Sequence, residues 1–111
     1  MNLRVLVVDD DEASVRAMER TLNKLDGLEV TASADLWALT ELLSTRTFEV
    51  VLGDLLTVLV ARNLAPTARC YLVTDQPDEV GAAQLDALGI LGVIEKPWSD
   101  RRVEALLTAR R

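Results

Sequence analysis

The sequence contains no histidine and a single cysteine among its 111 residues. Without histidine the chain cannot use His-based acid–base catalysis, a His-rich metal site or a phosphohistidine carrier. The lone thiol of Cys70 cannot form an internal disulfide, and its place inside an apolar run is typical of a small packed hydrophobe. This cysteine usage fits a reducing compartment, and we expect a cytoplasmic location.

Clustered basic residues and long apolar runs are also scarce. The formal net charge is −6, whereas a nucleic-acid surface needs clustered Lys or Arg to contact phosphates. The longest nearly uncharged stretch, residues 50–61, is too short to span a bilayer. The first four residues lead straight into a strand-like run and lack the pattern of a secretion signal. We therefore expect neither a nucleic-acid partner nor a membrane attachment.

Hydrophobic periodicity predicts an alternation of strands and helices in one domain of residues 1–111. The predicted strands are residues 5–8, 28–33, 48–53, 70–73 and 90–94. Helices are predicted after the acidic run 9–12, after Asp35, from Pro77 to about Leu88, and after Ser99 or Asp100. Alternating elements with short links are typical of an α/β fold, with a parallel sheet and helices on both faces.

The segment between the third and fourth strands is unusual. Residues 55–66 leave room for about two helical turns at most, and the first half of this segment is almost entirely apolar. Pro66 disfavours helical structure at the residue before it. We interpret the segment as either a short buried helix or an irregular apolar connection, so that the third helix is shortened or missing.

Charged side chains stand at the ends of three predicted strands. Asp9 and Asp10 follow the first strand, and Asp54 follows the third. Lys96 and Pro97 follow the fifth strand. Because parallel strands end at one edge of the sheet, where such sheets bind ligands, we expect three carboxylates and one ammonium to converge. Oxygen ligands favour Mg²⁺ or Mn²⁺ over zinc, and crowded carboxylates repel one another until a cation offsets them.

These residues resemble the receiver domain of two-component response regulators. The resemblance rests on four elements that occur in order: Val7-Val8-Asp9-Asp10, a strand ending in Asp54, a strand ending in Val73-Thr74, and Ile94-Glu95-Lys96-Pro97. It implies a flavodoxin-like five-stranded sheet in the order 2-1-3-4-5. It also implies a signalling domain that catalyses its own phosphorylation and dephosphorylation but is otherwise not an enzyme.

The resemblance implies a role for each matched residue. Asp54 resembles the phosphoacceptor, Thr74 the hydroxyl that bonds the phosphoryl group, and Lys96 the ammonium that pairs with this group. The implied Mg²⁺ ligands are Asp9, Asp10, Asp54 and the Leu56 carbonyl. The peptide bond between Lys96 and Pro97 resembles the family's cis peptide. The implied partners are a histidine kinase or phosphotransfer protein and a downstream protein or fused output domain.

The sequence departs from the family pattern after the phosphoacceptor. The chain between Asp54 and Thr74 is shorter than usual, and Thr57 and Val58 stand where the family commonly carries a Met-Pro or Leu-Pro pair. Val93 replaces an aromatic residue that often swings inward on phosphorylation. These departures leave open a second function, a degenerate pseudo-receiver that serves as a phosphorylation-independent platform for protein interactions.

Shortening the third helix would uncover apolar surface, so we expect a partner or a homodimer over Val58, Leu59 and Leu64.

Three alternative interpretations concern the charged residues. The acidic run after the first strand could instead only cap a helix, and Lys96 could be only a structural counter-ion. An aspartyl phosphatase of the haloacid dehalogenase type is disfavoured, because no acidic pair follows Lys96 and no cap segment exists.

Overall fold

A five-stranded sheet in the order β2-β1-β3-β4-β5 forms the centre of the computed structural model, which describes residues 2–108. The strands are β1 (Leu3–Val8), β2 (Leu28–Ser33), β3 (Val50–Gly53), β4 (Arg69–Thr74) and β5 (Ile90–Glu95). All four neighbouring pairs of strands in this sheet are parallel. The predicted fold class and strand order are therefore confirmed.

Five helices cover this sheet within the described part of the chain. They are α1 (Glu12–Asn23), α2 (Leu36–Thr45), α3 (Leu55–Leu64), α4 (Ala82–Leu88) and α5 (Asp100–Thr108). Side chains of α2, α3 and α4 pack on one face of the sheet, and side chains of α1 and α5 pack on the other. Between residues 2 and 108, no helix is long and apolar enough to cross a membrane.

Strand β1 is an inner strand of the sheet, and its last four residues are buried on both faces. Leu6 and Val8 belong to the core under α2 and α3, whereas Val5 and Val7 belong to the core under α1 and α5. Successive side chains of a strand point to opposite faces, so a continuous apolar run fills both cores at once. The same pattern occurs in β3, so the carboxylates of Asp9, Asp10 and Asp54 follow two strands that are packed on both faces.

Helix α3 corrects part of the sequence prediction. It has ten residues, as many as α2, so the alternatives of a missing helix and of an irregular connection are wrong. The helix begins directly after β3 because the Asp54 side chain accepts a hydrogen bond from a main-chain amide in its first turn. Its inner face is buried against the sheet. Pro66 acts as expected, since the helix ends two residues before it.

Val58 does not belong to the apolar surface on which the sequence prediction placed it. Val58 is fully buried in the core and is not available to a partner. Leu59 and Leu64 are exposed, as expected, and Leu56 is exposed on the same outer side of α3. The prediction for Val58 was wrong because the correct helical phase became available only once the start of α3 was known.

The segment before β5 is not the single helix that the sequence predicted. Pro77–Glu79 forms a 3₁₀ turn, and α4 begins only after Gly81. Val80 lies between the two pieces with extended backbone angles and a buried side chain. Burying Val80 in the core outweighs continuing a helix whose apolar face is weak, since no residue of α4 is itself buried. Gly89 ends α4 in the left-handed conformation.

A polar network that the sequence did not reveal joins α1 to the start of α5. The Thr21 hydroxyl donates to Oδ1 of Asp100 at 2.8 Å, and Lys24 Nζ pairs with Oδ2 of the same residue at 2.8 Å. The indole Nε1 of Trp98 donates to the Thr21 hydroxyl at 3.0 Å. The hydrogen bonds from Lys24 and then Thr21 lower the pKa of Asp100. This network anchors the chain immediately after Pro97.

Candidate functional site

The carboxyl edge of the sheet brings together the charged residues that end three strands. Asp9 and Asp10 directly follow β1, and Asp54 directly follows β3. Val8 pairs with Gly53 across these two strands, so Asp9 and Asp54 leave the sheet side by side. Lys96 follows β5, which is separated from β3 by β4. The expected convergence is therefore a consequence of strand order and register.

Three carboxylates of this edge form a compact cluster. Oxygen atoms of Asp9, Asp10 and Asp54 all lie within 4.8 Å of one another. Asp9 is buried, Asp54 is half-buried and Asp10 is exposed, so the cluster opens to solvent on one side. A small hard cation prefers such oxygen ligands, with bonds of about 2.1 Å and bound water in its remaining positions. The chemistry of this donor set is therefore consistent with Mg²⁺.

Lys96 is paired with the most buried of these carboxylates. Its Nζ lies 2.9 Å from Oδ2 of Asp9, with the lysine side chain 21% exposed and the aspartate side chain 5% exposed. The other oxygen of Asp9 accepts a hydrogen bond from the main-chain amide of Asp11 at 3.0 Å. The pair is therefore well satisfied, and removing either partner would leave an uncompensated charge. The peptide bond between Lys96 and Pro97 is cis, as the resemblance implied.

One ammonium group does not balance the charge of three carboxylates, and the pKa of Asp10 reflects the excess negative charge. The pKa of Asp10 is raised, first by a hydrogen bond with Asp9 and then by the negative charges of Asp54 and Asp9. Lys96 acts in the opposite direction but does not cancel these effects. A carboxyl group whose pKa is higher in the folded protein than in the unfolded chain opposes folding once it is ionised. A divalent cation would remove this penalty.

Thr74 lies between the phosphoacceptor candidate and Lys96, at the end of β4. Its hydroxyl oxygen accepts a hydrogen bond from the amide of Gln76 at 3.0 Å, and its carbonyl accepts one from the amide of Lys96 at 2.8 Å. The hydroxyl hydrogen can still be donated, because a hydroxyl both accepts and donates. The structure thus places Thr74 at the expected edge, and its contact with a phosphoryl group stays a prediction.

The Leu56 carbonyl, an expected metal ligand, belongs to the first turn of α3, which begins one residue after Asp54. Main-chain carbonyl groups of a helix point toward its C-terminal end, and the first-turn amides point the other way. Helical structure at this position is unfavourable for a metal contact through the carbonyl. The role of Leu56 as a ligand stays a prediction.

Thr57 is a site residue that sequence reasoning missed. Its main-chain amide donates to Oδ1 of Asp54 at 2.9 Å, and its side chain is fully buried. Asp is a favoured N-cap residue, but the almost continuous apolar run after Asp54 has no helical period that would mark a helix start there.

Comparison with known proteins identifies the fold. No family model and no curated protein matches the sequence. A CheY-like receiver domain from Methanospirillum hungatei JF-1 superposes with a TM-score of 0.82 at 22% identity, covering 96% of this chain and 91% of that chain. The signal receiver domain of an HD domain-containing protein from Pseudomonas fluorescens Pf-5 has a TM-score of 0.81 at 21% identity, covering 96% and 84%.

The chemotaxis response regulator CheY4 of Vibrio cholerae is similar to the same degree. Its TM-score is 0.80 at 20% identity, and the match covers 96% of this chain and 97% of that chain. Likeness at such low identity is likeness of fold. The chain therefore has the fold of CheY-like response regulator receiver domains, with all five strands and helices on both faces of the sheet.

We expect Asp10→Asn to stabilise the metal-free protein at neutral pH and to reduce its stabilisation by Mg²⁺. The gain should fade as the pH falls toward 3.8, the ordinary pKa of the group, because the wild-type carboxyl then becomes neutral. Thermal unfolding with and without Mg²⁺ measures both effects. Asp11→Asn is the matched control, since Asn also caps helices well and Asp11 lies outside the cluster. Equal Mg²⁺ shifts in all three proteins would contradict a metal site at this cluster.

We expect Lys96→Met to lower the free energy of unfolding by about 3 kcal/mol, because it leaves the buried carboxylate of Asp9 without its partner. Lys24→Met is the matched control. Lys24 forms an ion pair of similar length with Asp100, but both side chains of this pair are about half exposed or more. Such exposed pairs contribute about 1 kcal/mol or less to stability. Urea unfolding of the two variants compares them directly, and equal losses would be inconsistent with a buried pair at Asp9.

Proposed function

We propose that the chain is a phosphoacceptor receiver domain in two-component signalling, phosphorylated on Asp54 with Mg²⁺ as the required cation. The receiver fold supports a response regulator role. The observation that carries the finer proposal is the cluster of Asp9, Asp10 and Asp54, with Lys96 paired to its buried member. A site with this charge distribution suits the transfer of an anionic group to a carboxylate.

Asp54 is the nucleophile of the proposed reaction. One of its carboxylate oxygens attacks the phosphorus of the donor and forms a new oxygen–phosphorus bond. The bond from phosphorus to the leaving nitrogen of a phosphohistidine breaks, and its electron pair stays with that nitrogen. Mg²⁺, held by Asp9, Asp10 and Asp54, would offset the repulsion between the carboxylate and the phosphoryl oxygens. Hydrolysis returns Asp54 to a carboxylate and releases inorganic phosphate.

Lys96 and Thr74 respond to the phosphoryl group in this proposal. The lysine side chain is a flexible stem with a point charge, so Nζ can exchange Asp9 for a phosphoryl oxygen by rotation of its own bonds. The Thr74 hydroxyl donates its free hydrogen to the same group. Thr74 ends β4 and Lys96 follows β5, against which α4 packs with side chains that are at most partly buried. Movement there would alter a protein-binding face.

The 111 residues contain no histidine, so they cannot themselves supply a phosphohistidine. A histidine kinase or a phosphotransfer protein is the donor in this proposal. A downstream protein or a fused output domain receives the signal, by analogy with the Pseudomonas fluorescens neighbour, a receiver domain of an HD domain-containing protein. A cytoplasmic location belongs to the same proposal.

The pseudo-receiver that acts as a phosphorylation-independent platform is the second candidate. The observation that favours it is the start of α3 directly after Asp54, because carbonyl groups in a helix point along its axis toward its C-terminal end. Val93 favours it as well, since no aromatic side chain stands there to change position.

Incubation with Mg²⁺ and acetyl phosphate separates the two candidates. We expect the intact mass to increase by one phosphoryl group as acetate leaves, and we expect no increase in Asp54→Ala or after chelation of the metal. Asp75→Ala is the matched control, because Asp75 is an exposed carboxylate that follows β4 at the same edge. Absence of the increase in the wild-type protein would favour the platform.

The outer side of α3 is the proposed surface for a homodimer. Leu56, Leu59 and Leu64 are 56%, 39% and 39% exposed there, and Trp37 of the adjacent helix α2 is 92% exposed. The charge of Arg62 does not interrupt this surface, because its guanidinium donates to carbonyl oxygens at the end of α4 and after α3. A chain of net charge −6 repels a second copy least over an uncharged face.

Light scattering over a concentration series tests the homodimer. We expect the mass of the wild-type protein to rise toward that of a dimer, and we expect Leu59→Glu to remain monomeric because it places a charge in the contact. Leu91→Glu is the control, since Leu91 is 59% exposed on β5, away from α3. A monomer at all concentrations would count against this surface.

A further inference from the structure

Thr57 holds a buried polar atom that the fold leaves unused. Its side-chain oxygen is the one buried side-chain nitrogen or oxygen within residues 2–108 that lacks a hydrogen-bond partner. The residue is fully buried. An unpaired buried hydroxyl costs about 1–3 kcal/mol, and valine would occupy the same volume without this cost. A structural role alone therefore does not account for threonine at this position.

The side chain of Thr57 packs against Gly53, the residue before the proposed phosphoacceptor. Thr57 is the third residue of α3, and its amide donates to Oδ1 of Asp54 at 2.9 Å. Side chains of a helix tilt toward its N-terminus, which here is Asp54. A Cβ atom added to Gly53, the residue before Asp54, would lie 2.5 Å from the Thr57 methyl and 2.7 Å from its Cβ. Only glycine allows this close approach.

We propose that Thr57 is a positioning residue for Asp54 and that its hydroxyl donates to an oxygen of the phosphorylated side chain. This inference rests on the proposed function. The amide of Thr57 occupies Oδ1, so Oδ2 is the oxygen left to attack phosphorus. Phosphorylation then adds three strong acceptor oxygens to Asp54, and the buried hydroxyl gains the partner that it lacks in the free protein.

Two substitutions separate the hydroxyl of Thr57 from its methyl group. Thr57→Val keeps the shape, the methyl contact with Gly53 and the main-chain amide, and it removes only the hydroxyl. Thr57→Ser keeps the hydroxyl and the amide but loses the methyl. If Thr57 had only a packing role, valine would be harmless in every assay and serine would be the defective variant.

We expect the two variants to show opposite defects. Thr57→Val should be as stable as the wild type or more stable in urea, yet its rate of phosphorylation by acetyl phosphate should fall about tenfold, the effect of one lost hydrogen bond to a charged group. Thr57→Ser should be less stable but should keep the wild-type rate to within about twofold. The stabilisation of all three proteins by Mg²⁺ should be equal, because the hydroxyl is not among the proposed metal ligands.

The outcomes distinguish this inference from the proposed function. A wild-type protein that is not phosphorylated overturns both. A wild-type protein that is phosphorylated no faster than Thr57→Val overturns the role of the hydroxyl alone. Equal loss of rate in the valine and serine variants also overturns it, because the side chain would then act only through packing against Gly53.

Discussion

The ion pair between Lys96 and Asp9 is the contact on which the site depends. It connects the end of β5, at one side of the sheet, to the end of β1, three strands away in the order of the sheet. Both side chains are largely buried, so their attraction is weakly screened and either charge alone would be costly. The pair thereby fixes the last crossover over the carboxyl edge and holds positive charge beside the cluster.

The same edge carries more negative charge than Lys96 can balance. The raised pKa of Asp10 is a direct expression of this excess, since hydrogen bonding with Asp9 and repulsion from Asp54 both favour its neutral form. Local conflicts of this kind reduce stability and are characteristic of functional sites. The fold tolerates the conflict because the carboxylates follow the ends of β1 and β3, where residues 5–8 and 50–53 are all buried.

The direct junction between β3 and α3 gives Asp54 two roles at once. As the N-cap of α3 it accepts a main-chain amide, and as the proposed nucleophile it faces Asp9 and Asp10. A helix that begins here directs its amides and the positive end of its dipole at the site, and it directs its carbonyls away. The site therefore gains donors for anionic oxygens.

The linear sequence determined the α/β class and, through the resemblance, the strand order. It also identified Asp9, Asp10, Asp54 and Lys96, because the ends of strands can be located from apolar runs and the polar residues that follow them. Only the tertiary structure decided the start of α3 and the state of Thr57. The start of α3 depends on the capping bond to Asp54, and the state of Thr57 depends on its close approach to Gly53. Neither contact leaves a periodic signal in the sequence. Local patterns report which residues share a face, whereas the direction of a carbonyl or the isolation of a hydroxyl is settled by packing.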